Sequence, residues 1–78
     1  MRLLLVEDNV DLADAIIRRM RRNGHAVDWQ ADGVGAASVL RYQSFDLVVL
    51  DIGLPKLDGL RVLAGMRERG DSTPVLML

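Results

Sequence analysis

The stretch Leu47-Val48-Val49-Leu50-Asp51, followed by Ile52-Gly53-Leu54-Pro55, decides the fold. Its four consecutive apolar residues are bounded by turn-forming residues, which is typical of a short strand buried on both faces. A strand of that kind lies in the middle of a parallel sheet. Asp51 then stands at its carboxyl end, where open α/β sheets place their ligand sites. The alternative is that Asp51 only ends the strand, because Asp is common in turns.

A second apolar run near the amino terminus also ends in acidic residues. Leu3-Leu4-Leu5-Val6 is followed directly by Glu7 and Asp8. If the two runs are neighbouring parallel strands, Glu7, Asp8 and Asp51 converge at one edge of the sheet. Two unit charges about 4 Å apart repel by about 4 kcal/mol at an effective dielectric constant near 20, so the cluster requires a proton or a cation. Carboxylate oxygens, without Cys or suitably spaced His, favour a magnesium-type ion.

The composition is that of one small globular domain. The 78 residues are 50% hydrophobic and 27% charged with a formal net charge of −1, so charge gives no argument for a nucleic acid or an acidic membrane surface as partner. The absence of Cys excludes disulfides and thiolate metal sites, and it fits a reducing compartment. We find no signal-peptide pattern and no membrane-spanning apolar run, so the sequence predicts a cytoplasmic protein.

Helical spacing predicts three helices between the strands. The first begins after Asn9 as cap and stops at Asn23-Gly24, and the second ends near Tyr42-Gln43. The predicted apolar faces are Leu12, Ala15, Ile16 and Met20 in the first helix, Ala36, Ala37 and Leu40 in the second, and Leu60, Leu63 and Met66 in the third. Four arginines toward the end of the first helix complement its dipole, and a nucleic-acid patch is the alternative interpretation.

Two further strands complete the predicted order. Ala26–Gln30 reads as a strand exposed on one side, with Trp29 as a packing residue, and Thr73–Leu78 reads as a buried strand. Strands and helices therefore alternate along the whole chain. That alternation predicts an α/β fold with a parallel sheet and right-handed crossovers.

The sequence resembles the receiver domain of two-component response regulators over its whole length. The resemblance is carried by Val6-Glu7-Asp8, Asp51, Leu54-Pro55 and Asp58-Gly59, in this order and at these spacings. Within the family it is most similar to regulators that carry a winged-helix DNA-binding domain after the receiver. The resemblance implies a doubly wound, flavodoxin-like parallel sheet with strand order 2-1-3-4-5.

The resemblance also implies roles for single residues. Asp51 matches the residue that accepts a phosphoryl group from a partner histidine kinase. Asp8 and Asp51 match direct magnesium ligands, and Glu7 matches the acid that holds the metal through water. The backbone carbonyl of Gly53 matches the third protein ligand. In this family the metal neutralises charge on the transferred phosphoryl oxygens.

Residues 1–78 are expected to be the N-terminal part of a receiver, with four strands and three helices. The family's Thr or Ser after the fourth strand and its Lys after the fifth would follow Leu78, as would the fifth strand, the last two helices and the output domain. Lys56 does not match the family's Lys. We therefore expect no nucleic-acid contact by this part, and no phosphate-dependent switch of the surface that the later elements build.

Two other functions compete with a phosphate-accepting receiver. A haloacid-dehalogenase-type phosphohydrolase would use Asp51 as nucleophile but needs a second Asp two residues later, where this chain has Gly53; we therefore expect no enzyme. A phosphorylation-incompetent receiver would act only as an interaction or dimerisation module. We also expect the 78 residues to form a homodimer or larger assembly, since Ile16, Ile17, Met20 and the edge of the last strand would lack cover.

Overall fold

The computed structural model describes residues Met1–Leu78 as four strands that alternate with three helices. In chain order they are β1 (Arg2–Val6), α1 (Val10–Arg22), β2 (Ala26–Gln30), α2 (Gly33–Tyr42), β3 (Leu47–Leu50), α3 (Gly59–Glu68) and β4 (Val75–Met77). The predicted alternation of strands and helices is confirmed.

All strands are parallel and lie in the order β2-β1-β3-β4. The two strands that end in acidic residues are therefore central neighbours, with Val6 paired to Leu50 in the register. This order agrees with the first four strands of the expected doubly wound sheet. Parallel strands need long crossovers, and each crossover here contains one helix.

The sheet is covered on both faces, which explains why its central strands are continuously apolar. Leu4, Val6, Val48 and Leu50 belong to a core with residues of α2 and α3, whereas Leu3, Leu5 and Val49 pack with Ala13 of α1. Alternate side chains of one strand thus enter opposite cores. The expected burial of β1 and β3 on both faces is confirmed.

Each helix begins at a polar capping residue. Asn9, Asp32 and Asp58 accept backbone N–H groups of Leu12, Gly35 and Arg61 at 3.1, 2.8 and 3.0 Å, respectively. These bonds satisfy donors that a helix start leaves without intrahelical partners. The predicted Asn9 cap is confirmed, and so is the end of α2 at Tyr42.

The predicted apolar faces of α1 and α3 are partly wrong. Leu12 and Ala15 are exposed, and Ala13 is the residue of α1 that is buried. Leu60 is 57% exposed, and Val62 takes the buried position instead. Ala13 faces the sheet. Ile16, Ile17 and Met20 face it too, because they follow Ala13 by three, four and seven residues and so lie on the same side of the helix.

The last strand is only half-buried. β4 lies at the edge of the sheet, and Leu76 is 54% exposed. The prediction of a buried strand over Thr73–Leu78 is therefore wrong in extent and in burial. An edge strand pairs on one side only, so its second row of backbone groups is open.

Candidate functional site

The acidic residues meet at the carboxyl edge of the sheet, as the sequence predicts. Glu7 and Asp8 follow β1 and Asp51 follows β3, and one carboxylate oxygen from each lies within 4.8 Å of the others. Parallel pairing extends past the strand ends, since the Asp51 N–H donates to the Val6 carbonyl at 3.0 Å. The register of two central strands thus builds the cluster.

The three carboxylates differ in exposure and in electrostatic environment. Glu7 is 4% exposed, Asp51 is half-buried and Asp8 is exposed. Burial raises the pKa of the Glu7 carboxyl above its ordinary value, the N–H of Asn9 partly opposes this, and the negative charges of Asp51 and Asp8 add to the increase. A cation among the three oxygens would relieve this repulsion.

The carboxylate of Asp51 is oriented by the turn that follows it. The Gly53 N–H donates to Asp51 Oδ1 at 3.0 Å, and Gly53 itself is exposed at the surface. A side chain at position 53 would meet only Asp51 Oδ1, at 3.9 Å, so the approach to the acids is open here. The bond engages Oδ1, whereas Oδ2 of Asp51 accepts no bond from a backbone N–H. That the Gly53 carbonyl binds a metal stays a prediction.

The loop between Asp51 and α3 is fixed by its neighbours. Leu54 is buried, and the Gly59 N–H donates to the Ile52 carbonyl at 3.0 Å. Lys56 has a left-handed backbone with φ of 68°, and its Nζ lies 3.5 Å from Asp32 Oδ2. No pattern in the sequence indicates this ion pair. It joins the loop to the start of α2.

Trp29 contacts the site, which sequence reasoning missed. Its indole Nε1–H donates to the backbone carbonyl of Glu7 at 2.8 Å. The interpretation of Trp29 as a packing residue is therefore incomplete. The position at the end of β2, beside β1, was predictable, but nothing in the residue pattern specifies a bond from its side chain.

The donor set fits a magnesium ion. Magnesium prefers oxygen ligands and is usually held by one or two carboxylates while it keeps several waters. The cluster offers three carboxylates, no thiolate and no His, and it is open to solvent at Asp8. The described residues thus supply the ligand type and the access that such an ion needs.

The raised pKa of Glu7 predicts a pH dependence of stability. The stability that a protonated Glu7 contributes is fully present below the unfolded-state pKa, near 4.5, and it is lost as pH rises through the folded-state pKa. Glu7→Gln should flatten the corresponding fall in the free energy of unfolding. Urea unfolding between about pH 4 and pH 7 in a metal chelator measures it.

The comparison of Glu7→Gln with the unchanged protein isolates this one group. Hydrogen bonds from Gly35 and from the Thr73 hydroxyl lower the pKa values of Asp32 and Asp71, respectively. The stability that these two groups contribute therefore rises with pH, opposite to that of Glu7. Both groups are present in the variant and in the unchanged protein, so their contributions cancel in the comparison. Equal pH profiles for the two proteins would contradict the proposed environment of Glu7.

None of the three helices has the length and hydrophobicity that a membrane span requires. The longest, α1, has 13 residues, whereas about 20 are needed to cross a bilayer.

Comparison with known proteins gives a consistent result. Residues 3–78 match the family described as the response regulator receiver domain. The chain is 49% identical over 78 residues to the response regulator protein PmrA of Pseudomonas aeruginosa and 46% identical to the transcriptional regulatory protein TctD of Salmonella typhimurium. Both alignments cover 100% of this chain and 35% of the relative, so the chain spans about a third of the length of these relatives.

A solved structure with the same fold is that of the response regulator TrrA of Thermotoga maritima, determined in complex with Mg²⁺ and BeF. It superposes with a TM-score of 0.91 at 25% identity, over 97% of this chain and 66% of that one.

Proposed function

The chain belongs to the response regulator receiver family, and from this we propose that Asp51 accepts a phosphoryl group from a sensor histidine kinase. The observation that carries the proposal is the convergence of Glu7, Asp8 and Asp51 within 4.8 Å at the carboxyl edge of the sheet. If Asp51 only terminated β3, the other two acids would not be needed beside it. The chain would act as a signalling domain and not as an enzyme with a free substrate.

The transfer uses the free oxygen of the Asp51 carboxylate. Gly53 N–H binds Oδ1, so Oδ2 attacks the phosphorus of the kinase phosphohistidine in line with the nitrogen that leaves. A P–O bond to Asp51 forms as the P–N bond breaks. The electron pair of that bond stays on the leaving nitrogen, and a phosphohistidine whose other ring nitrogen carries a proton leaves as neutral imidazole. The main requirement of such a transfer is positioning together with charge stabilisation.

The metal site is proposed on the same residues. Asp8 and Asp51 would hold magnesium directly, with the Gly53 carbonyl as third protein ligand and Glu7 acting through water. When bound, the ion supplies positive charge against the phosphoryl oxygens. The half-buried position of Asp51 and the exposure of Asp8 support this division of roles.

The output of the signal is proposed for the longer protein. The chain spans about a third of relatives such as TctD, which is described as a transcriptional regulatory protein. We propose that the parent protein controls transcription in the cytoplasm through a DNA-binding domain outside these 78 residues. The net charge of −1 gives no argument for nucleic-acid binding by this part itself.

Self-association is the second candidate function. The exposed side chain of Leu76 and the open edge of β4 support it, since such an edge can pair with another chain. We expect light scattering to show a dimer or larger assembly of the 78-residue chain at micromolar concentration. A well-folded monomer that binds no hydrophobic dye would contradict this proposal.

The experiment that tests the proposed function is phosphorylation by acetyl phosphate. We expect the intact mass to increase by one phosphoryl group when magnesium is present, and not in a chelator. Asp51→Asn should show no increase, because the amide is not a nucleophile of comparable strength. A failure of the unchanged, folded protein to gain mass would favour the phosphorylation-incompetent module.

A further inference from the structure

Trp29 lies between the α1 surface and the acidic cluster. Trp29 is 37% exposed and lines a groove with residues of α1, namely Val10, Asp11, Ala13, Asp14 and Ile17. Its Nε1–H points the other way and donates to the Glu7 carbonyl at 2.8 Å. One side chain thus lines a groove together with α1 residues and also binds the backbone of the candidate site.

The indole bond takes the place of a strand-to-strand bond. The Glu7 N–H still pairs with the Gln30 carbonyl at 3.1 Å, as in a parallel ladder. Beyond Gln30 the chain leaves the sheet for α2, so the ladder supplies no further donor to the Glu7 carbonyl. The indole N–H is the donor that satisfies it.

Among the three acids, Asp8 is the one whose side chain has no hydrogen bond of its own to hold it, so the indole bond to the Glu7 carbonyl matters most for Asp8. The carboxylate of Glu7 accepts the Asn9 N–H, and the carboxylate of Asp51 accepts the Gly53 N–H. The Asp8 carboxylate has neither a hydrogen bond nor an ion pair in the structure, so only its backbone positions it. The Glu7 carbonyl belongs to the planar peptide group that leads into Asp8.

We propose that Trp29 is a positioning residue of the acidic site: its indole N–H fixes the Glu7–Asp8 peptide and thereby presents the Asp8 carboxylate to a divalent cation. This inference rests on the proposed function of Asp8 as a magnesium ligand. It adds a residue from β2 to a site otherwise built on β1 and β3.

Trp29→Phe tests the proposal, because it keeps an aromatic ring and removes the N–H. We expect the magnesium dissociation constant, measured from the amide shifts of residues 7–9 and 51–53, to rise by about 10-fold to 100-fold, as is typical when an outer partner of a metal ligand is lost. Tyr42→Phe is the matched control, since Tyr42 is 83% exposed and makes no hydrogen bond; it should bind magnesium like the unchanged protein.

A second variant separates positioning from packing. Ile17→Ala removes part of the groove that Trp29 lines but no hydrogen-bond donor, so it should lower the melting temperature and leave magnesium affinity within about 3-fold, the usual scatter of such effects. If Trp29→Phe and Ile17→Ala weaken magnesium binding equally, Trp29 acts through packing and the proposal is wrong.

The metal-free protein gives a readout that does not depend on the proposed function. The backbone order parameter of Asp8 should be about 0.85 in the unchanged protein and clearly lower in Trp29→Phe. Unchanged order at Asp8 together with unchanged magnesium affinity would overturn the positioning role while leaving the magnesium site intact. If the unchanged protein binds no magnesium, the proposed function fails, and the order parameter alone decides the role of Trp29.

Discussion

Asp8→Ala is expected to weaken magnesium binding by more than about 100-fold, beyond the loss typical of an outer partner. Asp8 is the exposed member of the cluster, and its carboxylate is otherwise unbound, so it is free to act as a direct ligand. The measurement is a magnesium titration followed by Trp29 fluorescence and by backbone amide shifts. The saturable change expected for the unchanged protein should disappear.

A matched control for this prediction is available on α1. Asp14 carries the same carboxylate at an exposed position, where it pairs with Arg18 at 2.9 Å and lies outside the cluster. Asp14 lines the groove beside Trp29 but gives no oxygen to the cluster, so Asp14→Ala removes one negative charge and should leave magnesium binding unchanged. Equal affinity in Asp8→Ala and Asp14→Ala would show that the cation site has been assigned to the wrong residues.

Gly59→Ala is expected to destabilise the protein by roughly 1–3 kcal/mol, the usual cost of overpacking. An added Cβ at this first residue of α3 would clash with the backbone oxygen of Asp51 and would lie 3.0 Å from Ile52 Cα. These are backbone atoms and cannot rotate away. Either α3 or the turn after Asp51 must move, so magnesium binding should weaken as well. Urea unfolding and the magnesium titration measure the two effects.

Gly65→Ala in the same helix is the control with the opposite expected sign. Its added Cβ would meet only the end of the Arg69 side chain, at 3.4 Å. Replacing a glycine inside a helix by alanine stabilises it by about 0.5–1 kcal/mol. If both substitutions change the free energy of unfolding alike, close approach of α3 to Asp51 is not what requires glycine at position 59.

The part of the fold that builds the site could be predicted because it depends on strong, local patterns. Leu3–Val6 and Leu47–Leu50 are continuous apolar runs, and parallel strands of this type place their carboxyl ends at one edge. That rule alone brought Glu7, Asp8 and Asp51 together. The structure confirms the convergence and the order of the four strands.

The rotation of the helices about their axes was harder to predict. In α1 the residues Leu12 and Ala15 fit an apolar stripe as well as Ala13 does, and only contact with the sheet decides among them. In α3 the pattern favoured Leu60 over Val62 for the same reason. When several positions of a helix are apolar, side-chain hydrophobicity alone does not determine which face of the helix packs against the sheet.

Contacts between distant side chains and backbone were not predictable at all. The Trp29 bond to Glu7 joins residues 22 positions apart, and the Lys56 pair with Asp32 depends on a left-handed residue in a loop. Each of these contacts needs the tertiary arrangement before its geometry exists. The Trp29 bond ends on the carbonyl of Glu7, a member of the acidic cluster.

Locating the phosphorylated residue is the most direct test of Asp51 as phosphoryl acceptor. The chain is incubated with acetyl phosphate and magnesium, and borohydride then reduces the aspartyl phosphate to homoserine, which peptide mass spectrometry assigns to a position. We predict homoserine at position 51 in the unchanged protein and at no position in Asp51→Asn. Homoserine at Asp8 or Asp58, or in the Asp51→Asn protein, would contradict the assignment of Asp51.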